Sequence, residues 1–105
     1  MRKIYVGLLL ALSSHAAMAL EVIVGHVVAL EPTYMPGYIS FEMDAGSASC
    51  PTGRWLLWKN PDTANNKAVY ATLMQAMATG KKIRFHINDG DANCQGQYIH
   101  LLSDA

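Results

Sequence analysis

Two cysteines, Cys50 and Cys94, narrow what this chain can fold into more than any other feature. They are its only thiols and enclose nearly half of its 105 residues. An even pair in a small domain reads as one disulfide, provided the protein matures where thiols oxidise. A redox or metal role is a poor fit, because there is no CxxC spacing and Cys50 runs into Pro51 with no ligand set nearby. The pair is therefore expected to be structural, joining the segment before the third strand to the turn before the last.

The first 19 residues point to such a compartment. Arg2 and Lys3 are basic, Ile4 to Leu12 is an apolar run, and Ala17-Met18-Ala19 places small residues at the positions that define cleavage. The run is shorter than the ~20 residues that cross a bilayer. Residues 1–19 thus read as a signal peptide cut after Ala19. Residues 20–105 read as one domain, periplasmic or secreted, with no membrane span after cleavage.

Beyond residue 19 there are six Lys and Arg residues against eight Asp and Glu, a net charge of −2. Binding a phosphate backbone needs an excess of cations, so nucleic acid is not an expected partner. Lys81, Lys82 and Arg84 do cluster, but at a helix-to-strand junction, where cations suit a helix C-terminus. With 51% hydrophobic and 15% charged residues the chain has enough apolar surface for one core.

Periodicity supplies the elements. Val22 to Leu30 is rich in β-branched residues and reads as a first strand, with His26 in its apolar interior. Glu31 to Gly37 carries two prolines and a glycine, which suit a turn. Tyr38 to Met43 and Arg54 to Lys59 read as the second and third strands. Asp62 or Thr63 caps a helix from Ala64 to Ala78, with Val69, Leu73, Ala76 and Met77 on its apolar face and Gly80 as its stop. Ile83, Phe85 and Ile87 alternate inward on the fourth strand, and Gln97 to Leu102 forms the fifth. The fold class is mainly β (α+β). A small five-stranded OB-like barrel with the helix between strands 3 and 4 satisfies this order, as does an open antiparallel sheet with the helix across one face.

Candidate chemistry is sparse. Asp89, Asp91 and Asn93 match the opening of a calcium loop, but Cys94 and His100 stand where Gly and Glu belong, so a polar turn is the better reading. His26, His86 and His100 lie on three separate strands without ligand spacing, and no metal or cofactor is expected. No serine sits in a GxSxG turn and no carboxylate pair is flanked for acid and base roles, so the chain does not read as an enzyme. The aromatics remain. Tyr34 and Tyr38 flank the first turn, and of Trp55 and Trp58, three apart on one strand, one belongs to the core and the other to the surface. Tyr34, Tyr38 and Trp58 are the candidate binding residues.

The run from Tyr70 to His86, YATLMQAMATGKKIRFH, resembles the helix-then-strand segment of small exported bacterial proteins related to the subtilase-cytotoxin and pertussis-like toxin B subunits. The signal peptide, the single cysteine pair and the element order fit the same group. The resemblance implies an OB fold, a homo-oligomeric ring of five subunits with helices lining a pore, and binding of cell-surface glycans. No individual binding residue follows from it. The expectation is a non-catalytic, glycan-binding B-subunit-like domain; the alternative is a monomeric periplasmic domain that docks to an envelope protein.

Overall fold

A computed structural model describes residues 19–105; the expected signal peptide, apart from Ala19, lies outside the described residues. The element order is β1 (Leu20–Gly25), β2 (Val27–Glu31), β3 (Ile39–Met43), β4 (Leu56–Trp58), α1 (Thr63–Thr79), β5 (Ile83–Asn88) and β6 (Gly96–Leu101). The strands form two antiparallel three-stranded sheets, ordered β1-β5-β6 and β2-β3-β4. The mainly β class holds, with one helix in the expected place and one disulfide between Cys50 and Cys94.

The strand count corrects the sequence reading. The expected first strand is two, broken at His26, and each half belongs to a different sheet. Asp44 causes the break. Its Oδ1 accepts from the His26 backbone N–H at 2.7 Å, its Oδ2 meets His26 Nδ1 at 2.8 Å, and its own N–H donates to the His26 carbonyl at 3.0 Å. A Cβ on Gly25 would collide with Asp44 Oδ1, so only glycine lets the carboxylate approach this closely. His26 is consequently a half-exposed partner of Asp44, and not a core histidine. These bonds to His26, the backbone one first, hold the Asp44 carboxyl below its ordinary range.

Nor do the strands form a closed five-stranded barrel. The two sheets meet through one parallel bridge, Leu57 to Gln95, where the Leu57 N–H donates to the Cys94 carbonyl at 2.9 Å. The disulfide lies beside this bridge, with both cysteines fully buried.

The core fills the space between the sheets and the helix. Ile23, Ile39, Phe41, Leu56, Ile83, Phe85 and Ile87 are buried, as the alternation on β5 predicts, and Phe41 meets Phe85 edge to face at 5.0 Å. A Cβ at Gly96 would run into the Phe85 and Trp58 rings, so the start of β6 can lie against them only as glycine. The helix starts where Asp62 accepts from the Ala64 N–H and stops at Gly80, whose left-handed backbone (φ 70°) lets its N–H reach the Ala76 carbonyl. Val69, Leu73 and Ala76 face the core together with one polar residue, Asn66. Lys67, Ala71, Met74 and Ala78 remain exposed.

Candidate functional site: an aromatic shelf beside an open depression

The turn after β2 is built from short-range bonds. Met35 N–H donates to Pro32 O at 3.0 Å and Gly37 N–H to Tyr34 O at 2.9 Å; the Met35–Pro36 peptide is cis. The result brings Tyr34 and Tyr38 face to face, with ring centroids 4.8 Å apart and planes within 10° of parallel. Tyr34 is half exposed and Lys59 Nζ lies 5.9 Å from the centre of the Tyr38 ring, within reach of a cation–π contact. Beside this shelf an open depression of about 580 Å³ is lined by Gly37, Lys59, Asn60, Pro61, Thr63 and Gln95.

Asn66 fixes the shelf to the helix. Its Oδ1 accepts from the Asn60 N–H at 2.9 Å, and its Nδ2 lies within 3.1 Å of the carbonyls of Pro36, Gly37 and Asn60. The residue is fully buried, so its own amide is satisfied by these backbone groups and not by water. Gln95 Nε2 donates to the Lys59 carbonyl at 3.3 Å and closes the far side.

Of the three candidate binding residues, Tyr34 and Tyr38 come together and Trp58 does not. Trp58 is only 8% exposed and donates through Nε1 to Asn65 Oδ1 at 2.9 Å, whereas Trp55 is 46% exposed. Trp58 has the inward orientation on β4 and packs under Gly96, so it supports the shelf from inside and offers no open face.

The other sequence candidates resolve into local structure. Both Asp91 carboxylate oxygens are taken, by the Asn93 N–H at 2.8 Å and the Gln95 N–H at 3.2 Å, which makes the acidic run a side-chain-capped turn. His86 and His100 lie on the outer face of β5 and β6, while His26 sits at the β1–β2 bend, so the three histidines do not converge. Among the described residues no three His, Cys, Asp or Glu side chains are grouped as metal ligands. The shelf presents a phenol pair, an amine and side-chain amides. Such a surface offers a flat apolar face with polar groups at its edge, which suits holding a ligand.

A second polar cluster anchors the cross-linked loops. Glu21 accepts from the Gly90 N–H at 2.9 Å, the Ser49 N–H at 3.0 Å, and the Ser47 and Ser49 hydroxyls at 2.6 Å each. These bonds, the one from Gly90 foremost, lower its carboxyl from the ordinary 4.5 to about 2. A carboxyl depressed in the folded state contributes stability that is present above its unfolded value and lost as pH falls through the folded one. The wild-type melting temperature should therefore decline between pH 4.5 and about 2. Thermal melts of Glu21→Gln should start lower at neutral pH and decline less over that interval. Parallel curves for the two proteins would show that the carboxylate carries no such linkage.

Compared with protein-family models, with curated proteins and with solved structures, the chain finds no match. The fold and the shelf themselves define a small, disulfide-bonded, mainly β domain with an exposed aromatic surface. No helix among the described residues is long and apolar enough to cross a membrane.

Proposed function

We propose that this chain is an exported, non-catalytic binding domain of OB-like design that holds a glycan against the Tyr34–Tyr38 shelf. The observation that carries the reading is the stacked tyrosine pair, its Tyr34 ring half exposed, next to a depression bearing Lys59, Asn60, Thr63 and Gln95. Sugar rings present apolar C–H faces and peripheral hydroxyls, so an aromatic plane bordered by an amine, amides and a hydroxyl matches both parts. Pre-assembly of the two rings by the turn lowers the ordering cost of binding. The barrel-like part of the reading is supported by the strand order, in which the bent β1–β2 segment serves both sheets and β4 approaches β6 in parallel. A disulfide is compatible with maturation outside the cytoplasm. The exposed face of α1, with Ala71 and Ala78 small enough for close helix approach, fits a ring of five copies.

A broad glycan array probed with the oxidised protein tests this. Retention of one glycan family is expected, with Tyr34→Ala weakening it by about tenfold or more, the loss of one stacked ring. Native mass spectrometry of the same sample should read five copies. An array without signal defeats the glycan reading, and a monomer defeats the ring.

A further inference from the structure

The outward positions of the β1-β5-β6 sheet are Leu20, Val22 and Val24 on β1, Arg84, His86 and Asn88 on β5, and Tyr98 and His100 on β6. Not one is acidic, although acidic residues outnumber Lys and Arg beyond residue 19. Leu20, Val22, Val24 and Tyr98 are between 40% and 57% exposed, so the face is apolar as well as basic. Arg84 has no carboxylate partner among the described residues; its side-chain bond runs to the His100 ring, with Nη1 3.4 Å from Nδ1. The His86 ring lies edge to face with Tyr98 and with His100, at 6.0 Å and 5.2 Å, and its Nδ1 has no hydrogen-bond partner. Arg84 thus stands without a counter-charge beside two imidazoles, and an arriving carboxylate supplies one.

We infer that this sheet face is a docking surface for an acidic protein segment with interspersed apolar side chains, its carboxylates meeting Arg84 and His100 and its apolar groups covering Val22, Val24 and Tyr98. The surface is separate from the tyrosine shelf, and its occupation does not depend on glycan binding. Charge complementarity selects the occupant. A cationic segment would be repelled by Arg84, and an uncharged apolar one would bury Arg84 unpaired. Burial first, and then the neighbouring His100 and Arg84, lower the His86 pKa and favour its neutral ring, so Arg84 is the charge that an anion meets beside it.

Amide chemical-shift titration of the isotopically labelled full domain tests the inference with three acetylated nonapeptides, repeats of Glu-Leu-Ser, Gln-Leu-Ser and Lys-Leu-Ser. The Glu peptide should shift Val22, Val24, Arg84, His86, Tyr98 and His100 and bind about tenfold more tightly than the Gln peptide, with the preference fading at high salt. Arg84→Glu should abolish that preference and favour the Lys peptide, while an unchanged thermal melt shows that the variant folds. Equal responses to the three peptides would overturn the proposal, as would shifts confined to Tyr34 and Tyr38. So would peptide-free shifts of this face on dilution, because a second copy would then be its occupant.

Discussion

Replacing both cysteines, Cys50→Ala with Cys94→Ala, is expected to cost about 4 kcal/mol of stability, the entropy released to the unfolded chain when a closed loop of this size is opened. The sequence separation is 44 residues and both sulfurs are fully buried, so their removal also leaves small voids. Few contacts can compensate at this place. The sheets meet beside the disulfide through the single Leu57–Gln95 bridge, and the Cys94 carbonyl that receives the Leu57 N–H belongs to the cross-linked residue itself. Arg54 reaches the Ala92 carbonyl from the other loop, and Glu21 binds Ser47, Ser49 and Gly90 on either side. All of these depend on the two loops staying together. Urea unfolding of the double variant should show the midpoint displaced downward, with a fall in melting temperature on the order of 20 °C for a domain this small. A loss below about 1 kcal/mol would mean that the loops hold their places without the covalent bond and that the chain-entropy account fails here.

Asn66→Ala should be the most damaging single change on the helix, at about 3 kcal/mol, because it empties a fully buried position and removes the shared partner of four backbone groups at once. The Asn60 N–H and the carbonyls of Pro36, Gly37 and Asn60 all lose their partner. Asn66→Asp keeps the acceptor for Asn60 but sets a carboxylate against three carbonyl oxygens. Its pKa should rise, so this variant should be less stable than the wild type at neutral pH and recover part of the loss on mild acidification, as the carboxyl protonates and donates again. Chemical denaturation of both variants across pH separates the two effects. Full stability in Asn66→Ala would show that these backbone groups find other partners.

How far the sequence announced all this depends on the range of the interactions involved. The alternation of Ile83, Phe85 and Ile87, the Asp62 cap and the Gly80 stop act within a few residues, and each was legible in the chain. The break at His26 was not, because the cause is Asp44, which lies beyond two strands and the turn between them. Trp55 and Trp58 illustrate a different limit. Their spacing assigned one to each side of the strand, but which side faces inward was decided by Gly96 and the helix. Tyr34 and Tyr38 were recognisable as turn-flanking aromatics, although their stacking required the turn's own hydrogen bonds. Asn66 went unnoticed because two of its partners, Pro36 and Gly37, lie 30 and 29 residues upstream. A signal was nevertheless there, since the stripe of Val69, Leu73 and Ala76, extended back by one step, lands on it.

The position of the cross-link also determines how the molecule answers a pull at its two ends. Along the covalent chain β4, α1 and β5 all lie within the ring that Cys50 and Cys94 close, while a pull between β1 and β6 runs sideways through β5, which pairs with both. The covalent bond keeps those elements from being drawn out along the chain. The chain can extend only through the segments outside the ring, giving up roughly half the contour length that an uncrosslinked chain would release at ~3.5 Å per residue.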